Sequence, residues 1–361
     1  MLRTPRRSIA GIILGLAGSV APIVTLAGQE DLTLRADLML YGDNTEFRNP
    51  FREGETIFGA AIRPTVEIAM NSRVIVTLGV LANQRFGGDD AFELVRPVVS
   101  VTFRGPRSSF LIGTLPARRF DTPEGPDRAT PHGLLPSIQR ETLTFERPYE
   151  AGLQWTVSTP VWRHEAWINW QRLNTAAHRE RFDTGISGEL AASRLVTLPL
   201  QLHIVHQGGQ LFASGPVADS VAAALGVRLL TRPWKSGEFS IESFALASRY
   251  VPDREAAQRT RSGAGFFGRV AVIRDLWRGH LVFWRGDDFV KDEGDPNYLS
   301  ITRGGMRYRG VRDYAEAGVT RAFVPAPGVT FEASGRLHRV ENHYEYSYRL
   351  LCTARLQWQL R

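Results

Sequence analysis

The sequence predicts an all-β fold, namely a transmembrane antiparallel up-and-down β-barrel of about 16 strands, within a range of about 14 to 18. Three observations predict it. Apolar and polar side chains alternate along many segments, the spacers between those segments alternate between short and long, and the last segment spaces its aromatic residues by one membrane thickness. Alternation with a period of two is typical of strands with one apolar and one wet face.

The alternating segments follow one another from residue 31 onward. The first three are "DLTLRADLMLY" (31–41), "TIFGAAIRPTVEIAM" (56–70) and "SRVIVTLGVLAN" (72–83). Further regular segments begin at Leu94, Ala151, Leu195, Val221 and Tyr314, and less regular ones lie near Phe110, Trp162, Gly185, Phe239, Phe266, Leu281 and Val329. With the final segment this makes about 16 strands.

The spacers support a barrel that crosses a membrane. Short spacers rich in turn-forming residues are 70–72, 105–109, 158–160, 232–237 and 324–328. Long spacers are 41–55, 83–93, 116–148, 206–219, 250–263 and 287–312. Short periplasmic turns that alternate with long external loops are typical of outer-membrane barrels, so short turns and long external loops are expected here.

The last segment, "YEYSYRLLCTARLQWQLR" (344–361), places Tyr344, Tyr346, Tyr348 and Trp358 on its apolar face. Tyr348 and Trp358 are separated by about 33 Å of extended chain, or about 25 Å of height at the usual strand tilt. This height equals the apolar band of an outer-membrane barrel, so we predict these four residues to be a lipid-facing girdle. A soluble β-sandwich also alternates, but it does not explain the loop asymmetry.

Residues 1–27 are typical of a cleaved signal peptide. Arg3, Arg6 and Arg7 precede an apolar run that begins at Ile9, and small residues stand near the expected cleavage site. The alternative is an amino-terminal membrane anchor, which the Gly, Ser and Pro residues of the run disfavour. The predicted domains are therefore the signal peptide (1–27) and an outer-membrane barrel (28–361).

Composition excludes several function classes. The formal net charge is +7, and 42 of the 44 basic residues are arginine, a bias that also arises from genome composition. The sequence contains neither a basic tail nor a motif of interleaved basic and aromatic residues, so we do not predict nucleic acid as a partner. The single cysteine, Cys352, permits no intrachain disulfide.

The sequence gives little sign of catalysis. The eight histidines are scattered, so we predict neither a metal site nor a cofactor. Because no lipid-facing Ser/His pair with an acidic or amide partner is evident, we predict no catalytic residues and no enzymatic activity.

The faces opposite the lipid-facing series carry charged residues, which must be solvated or paired inside the barrel. The predicted channel-lining residues are Arg35, Arg63, Glu67, Arg73, Arg96, Arg104, Arg163, Arg228, Arg336, Arg349 and Arg355. If the lumen is open, this arginine excess favours small polar or anionic solutes. The alternative is that the arginines pair with carboxylates across strands, and the sequence leaves both possibilities open.

These features together resemble Gram-negative outer-membrane β-barrel proteins of the porin-like type, without pointing to a subfamily. The resemblance implies outer-membrane lipid and the barrel-assembly machinery as partners. It also implies that the third external loop, here residues 116–148, folds inward as a constriction, because its apolar stretch "GLLPSI" (133–138) needs a surface to pack against. An external cap or an overlooked strand pair remains the alternative.

The predicted function is an outer-membrane channel for passive diffusion. The alternatives are an exporter of an acidic polysaccharide with a periplasmic partner, a plugged structural or adhesin barrel, and, less favoured, an outer-membrane lipid hydrolase. A homo-oligomer is left open. The segment "DNTEFRNPFREGET" (43–56) is distinctive, but the sequence attaches no function to it.

Overall fold

The computed structural model describes residues 31–90, 92–116 and 130–360, and they form a closed barrel of 16 antiparallel strands. Each strand pairs with its neighbours in sequence, and β1 closes the barrel against β16. The prediction of a closed antiparallel barrel of about 16 strands is confirmed. The predicted signal peptide lies outside the described residues, and no described helix is long and apolar enough to cross a membrane.

The strands are long, as expected for crossing a bilayer at a tilt. Their bounds are β1 Asp31–Glu46, β2 Glu55–Ala69, β3 Val74–Arg85, β4 Leu94–Arg104, β5 Ser108–Thr114, β6 Ala151–Ser158, β7 Trp162–Arg172, β8 Glu180–Ala191, β9 Val196–Gly208, β10 Ala218–Trp234, β11 Gly237–Val251, β12 Arg261–Arg274, β13 Trp277–Asp287, β14 Arg312–Ala326, β15 Val329–Val340 and β16 His343–Leu360. A single helical turn, α1 (Leu143–Glu146), precedes β6, and 3-10 turns lie at Ala257–Arg259 and Pro296–Tyr298.

Strand β16 shows how the sequence alternation maps onto the barrel wall. The predicted girdle residues Tyr344, Tyr346, Tyr348 and Trp358 are 82%, 52%, 47% and 50% exposed and point outward. Glu345, between the first two of them, is 8% exposed and points into the lumen. The apolar face of the strand therefore faces the surroundings, and the polar face lines the interior.

Strand β1 continues beyond the end expected from the alternation. It was expected to end near Tyr41, but it runs to Glu46, because Asp43, Asn44 and Thr45 pair with β16 as well as with β2. The distinctive segment 43–56 is thus divided into the end of β1, a short external loop (47–54) and the start of β2.

The described part of the β5–β6 loop lies inside the barrel, and residues 130–150 are called the plug below. Leu134, Leu135 and Ile138 of the plug are 3%, 3% and 0% exposed and belong to one apolar cluster with inward residues of the wall. On the opposite wall Phe145 of α1 stacks on Tyr41, with ring centroids 4.7 Å apart. The stretch 133–138 thus packs against the inner wall.

The β13–β14 loop (288–311) joins the plug. The Arg140 amide donates to the Glu293 carbonyl at 2.7 Å, and the Asp295 amide donates to the Pro136 carbonyl at 2.8 Å. Gly294 approaches the Ser137 carbonyl so closely that a side chain at this position would collide with it. The two loops therefore form one packed body within the lumen.

Candidate functional site

Seven of the eleven predicted channel-lining residues form ion pairs inside the barrel. Their N–O distances are 3.2 Å for Arg35–Glu67, 2.9 Å for Arg355–Asp37, 2.7 Å for Arg163–Glu189, 2.8 Å for Arg228–Glu189, 3.0 Å for Arg336–Glu141 and 2.7 Å for Arg349–Glu141. The possibility of pairing, which the sequence left open, is therefore the arrangement found at these residues.

The other four predicted lining residues have different surroundings. Arg63 donates to a carbonyl of the β5–β6 loop at 3.5 Å, Arg96 lines an internal cavity, and Arg104 is the exposed last residue of β4. Arg73 is on no strand, which corrects the prediction: it lies exposed in the β2–β3 turn, where its amide donates to the Asn71 side chain at 2.8 Å. This local bond keeps Arg73 in the turn, so β3 begins at Val74 and not at the start of the predicted segment 72–83.

Two cavities lie beside the plug. The larger, of about 410 Å³, is lined mainly by residues of the plug and of strands β3, β4 and β7. The smaller, of about 230 Å³, is lined by Gly133 of the plug and by residues of β6 to β10. His132 of the plug lies between them: its Nε2 is 3.1 Å from Glu150, which lines the larger cavity, and its Nδ1 is 2.8 Å from Glu165, which lines the smaller. The His132 ring also stacks on Trp167 at 3.8 Å, so it is held on three sides.

A buried cluster of titratable residues lies between the wall and the β13–β14 loop. Asp183, His203 and Glu293 offer ligand atoms that all lie within 4.8 Å of one another, which is a possible metal-binding geometry. Glu293, however, already accepts hydrogen bonds from Arg147 at 2.6 Å and Arg181 at 3.1 Å. Since arginines neutralise this carboxylate, we assign the cluster a structural role.

Two loop residues at this cluster have displaced pKa values. Burial lowers the pKa of Lys291 to about 8, although Glu293 and Asp292 partly oppose the shift. Burial by itself would raise the pKa of Glu293, but the positive charges of Arg147, His203 and Lys291 together outweigh it and hold that pKa at about 2. Protonation of Glu293 at low pH would therefore remove favourable ion pairing from this cluster.

A different constellation, from β14, β15 and β16, has the geometry of a nucleophilic site. Ser347 Oγ lies 2.8 Å from His338 Nε2, and His338 Nδ1 lies 2.8 Å from the Tyr314 hydroxyl and 3.4 Å from Glu316 Oε2. The strand register brings them together: Glu316 lies directly opposite His338, and Ser347 lies diagonally across from His338 on the next strand. All four side chains point into the lumen.

The hydrogen bonds determine which nitrogen of His338 carries the proton. Tyr314 donates its hydroxyl to Glu316 at 2.5 Å, so its oxygen is left to accept from His338 Nδ1. With the proton on Nδ1, Nε2 is free to accept the proton of Ser347. This is the tautomer a histidine needs to act as general base toward a serine.

The surroundings of this constellation are buried and contain charges of both signs. Tyr314, His338 and Glu316 are 2%, 5% and 9% exposed. Together with Ser347 they line a cavity of about 40 Å³, to which Arg336 and Arg349 also contribute. This volume holds a few water molecules. Arg336 and Arg349 are both paired with Glu141, which also lines the cavity.

The search for a lipid-facing Ser/His pair missed this constellation, because it faces the lumen. A signal was nevertheless present in the sequence. If residues 341–342 form a two-residue hairpin turn, positions whose numbers sum to 683 lie opposite each other. This places Arg336 opposite Ser347, and His338, two residues along the same face of β15, diagonally across from Ser347. The contribution of Glu316 was not predictable, because a register shift between Phe323 and Ala326 displaces the β14–β15 pairing by one residue from the count that the short turn would give.

Comparison with protein families gives a match that covers almost the whole chain. The model of the family described as lipid A 3'-O-deacylase-type matches residues 24–361. It is an enzyme family, so the expectation that the chain has no enzymatic activity was wrong. A comparison with curated proteins gives no match.

Solved structures with the same fold are outer-membrane proteins. The loop L8 deletion mutant of OmpT, an outer membrane protein of Vibrio cholerae, has a TM-score of 0.56 at 6% identity and covers 91% of this chain and 100% of that one. Pseudomonas aeruginosa OccK8 (OprE) has a TM-score of 0.53 at 12% identity, with coverages of 91% and 98%. A doubly substituted variant of OccD1 (OprD) has a TM-score of 0.52 at 13% identity, with coverages of 91% and 96%. At these identities the likeness is one of fold, and it confirms the predicted resemblance to porin-like outer-membrane barrels.

Proposed function

Because the chain belongs to the lipid A 3'-O-deacylase-type family, we propose that it is an outer-membrane hydrolase that cleaves acyl esters of a lipid A-type acylated saccharide. The observation that carries the proposal is the constellation of Ser347, His338, Tyr314 and Glu316. A serine hydrogen-bonded to a correctly protonated histidine, itself oriented by an acid, is suited to acyl transfer.

The proposed mechanism has two steps. Ser347 Oγ attacks the ester carbonyl while His338 Nε2 takes its proton, and the same proton then passes to the leaving alkoxide, which departs as the sugar alcohol. Water next attacks the acyl-serine with His338 again as base, releasing the fatty acid and restoring Ser347. Glu316, through Tyr314, stabilises the imidazolium that forms in each step.

The test measures fatty acid released from lipid A by the purified barrel in vesicles, with mass spectrometry as the readout. Ser347→Ala is expected to lower the rate by about a thousandfold or more, since it removes the nucleophile. Ser334→Ala is the matched control, because Ser334 lines the same cavity from β15 and takes no part in the proposed mechanism. Release by Ser347→Ala at the wild-type rate would overturn the role of this serine, and no release by the wild type would overturn the proposal.

A second candidate function is a restricted channel for small polar solutes. Its support is the pair of cavities of about 410 Å³ and 230 Å³ beside the plug, with His132 between them, in a barrel of porin-type fold. The paired arginines argue for weak anion selectivity, and the plug argues against the passage of a polysaccharide chain.

Conductance in a planar bilayer tests this second candidate. Small, brief openings are expected from the wild type. Gln201→Ala should lengthen them, because Gln201 accepts from the Leu135 amide at 2.8 Å and thereby anchors the plug. Silence from both folded proteins would rule out the channel and leave the hydrolase untouched.

A further inference from the structure

The distinctive segment 43–56 ends in a loop that covers the proposed hydrolytic site. Residues 47–54 connect β1 to β2 at the external end of the barrel, and they are called the lid below. Phe47 of the lid packs its ring on that of His338, at 88° and with centroids 4.9 Å apart. Since Phe47 and Arg52 also line the 40 Å³ cavity, the lid forms part of the wall around Ser347.

Several polar contacts hold the lid closed. Arg52 Nη1 lies 2.5 Å from Asp295 Oδ2, and Asn49 Nδ2 donates to Glu345 Oε2 at 2.6 Å. The Arg48 amide donates to the other oxygen of Glu345, also at 2.6 Å. Asn49 is fully buried, so its side chain bonds to protein groups and not to water.

The lid also packs on the β13–β14 loop and on the first residue of β14. The guanidinium of Arg312 lies 3.2 Å from the centroid of Phe51, and the Arg303 amide donates to the Pro50 carbonyl at 3.0 Å. Burial raises the cost of separating these groups, but ion pairs and hydrogen bonds re-form with water once separated. Opening the lid must therefore break these contacts together.

The lid begins and ends just beyond the last paired residues of β1 and β2. Thr45 and Glu55 face each other at the ends of β1 and β2, and the Glu55 amide donates to Thr45 Oγ1 at 2.9 Å. Strand pairing continues without interruption below this point. Movement of residues 47–54 therefore leaves the barrel wall intact.

The size of the closed cavity makes such movement necessary. A cavity of about 40 Å³ accommodates a few water molecules and no acyl chain. We infer that the lid is the gate of the proposed hydrolase, and that an acylated substrate reaches Ser347 from the external side only after the Arg52–Asp295 and Asn49–Glu345 contacts separate. This inference rests on the proposed site but concerns access to it, which is measurable without hydrolysis.

The test measures thiol accessibility. Ser347→Cys is made in a Cys352→Ser background, the barrel is reconstituted in vesicles, and labelling by a membrane-impermeant maleimide is followed over time. Labelling is expected to be slow with the lid intact and about tenfold faster or more in Arg52→Gln and in Asn49→Ala, because each change removes a contact that holds the lid. Ser334→Cys serves as a second reporter on the same cavity.

The matched control is Arg85→Gln, which breaks an ion pair between Arg85 and Glu93 beside a different external loop. It should leave the labelling rate unchanged. Equal labelling of Ser347→Cys with and without the lid changes, in barrels that retain their folded electrophoretic mobility, would overturn the gate. If labelling responds as expected while lipid A releases no fatty acid, the gate stands and the proposed hydrolysis fails.

Discussion

Replacing Tyr314 by phenylalanine separates the hydrogen-bond network from the shape of the site. The hydroxyl donates to the Glu316 carboxylate at 2.5 Å and accepts from His338 Nδ1 at 2.8 Å, and the side chain is 2% exposed. A hydrogen bond to a charged group contributes about 1.5–3 kcal/mol to stability. The second loss is smaller, since Glu316 Oε2 remains 3.4 Å from His338 Nδ1.

We therefore expect Tyr314→Phe to lower the free energy of unfolding by about 2–4 kcal/mol. Tyr41→Phe is the matched control, because Tyr41 is also 2% exposed but makes one side-chain bond, to the neutral amide of Asn83 at 2.9 Å. Its expected cost is about 1 kcal/mol. Urea unfolding of the reconstituted barrels, followed by tryptophan fluorescence, compares the two.

The same pair of variants tests the proposed catalysis. In Tyr314→Phe the His338 ring loses its closest Nδ1 partner, so kcat for fatty acid release should fall by about 10- to 100-fold with KM little changed. Tyr41→Phe should keep the wild-type kcat. If Tyr314→Phe is no less stable than Tyr41→Phe and retains its kcat within about twofold, Tyr314 does not orient His338 and the reasoning is refuted.

Two further predictions concern stability. The pKa of Glu293 falls from 4.5 to about 2 on folding, so the ionised carboxylate contributes about 3 kcal/mol of stability above pH 4.5, and this contribution is lost as the pH drops toward 2. Glu293→Gln should therefore be less stable than the wild type at pH 7 and should lose less additional stability in acid, as measured by urea unfolding at each pH. An acid-induced loss as large as that of the wild type would contradict this. Leu225, 66% exposed in the middle of β10, should tolerate arginine poorly, at about 2–4 kcal/mol, whereas Thr231→Arg near the periplasmic end should cost about 0–1 kcal/mol. Equal costs in vesicle-based unfolding would mean that Leu225 does not face the bilayer core.

The sequence by itself determined the barrel. Period-two alternation is a property of single strands, and the girdle from Tyr348 to Trp358 is a length along one strand, so both are legible without knowledge of partners. Loop lengths likewise indicated which end of the barrel carries the short turns. The end of β1 was misjudged because the polar residues Asp43 to Thr45 are stabilised by pairing with β16, some 300 residues away.

The site was decided by the tertiary structure. Ser347 and His338 were within reach of hairpin counting, but Tyr314 and Glu316 join them only through the β14–β15 register, and the lid reaches them from the opposite end of the sequence. The arginines follow the same rule: alternation placed them inside, but whether Arg349 faces solvent or Glu141 depends on where a loop more than 200 residues distant folds. Local patterns fix which face a residue lies on, whereas charge pairing and catalytic geometry depend on closure of the barrel and on the loops that fill it.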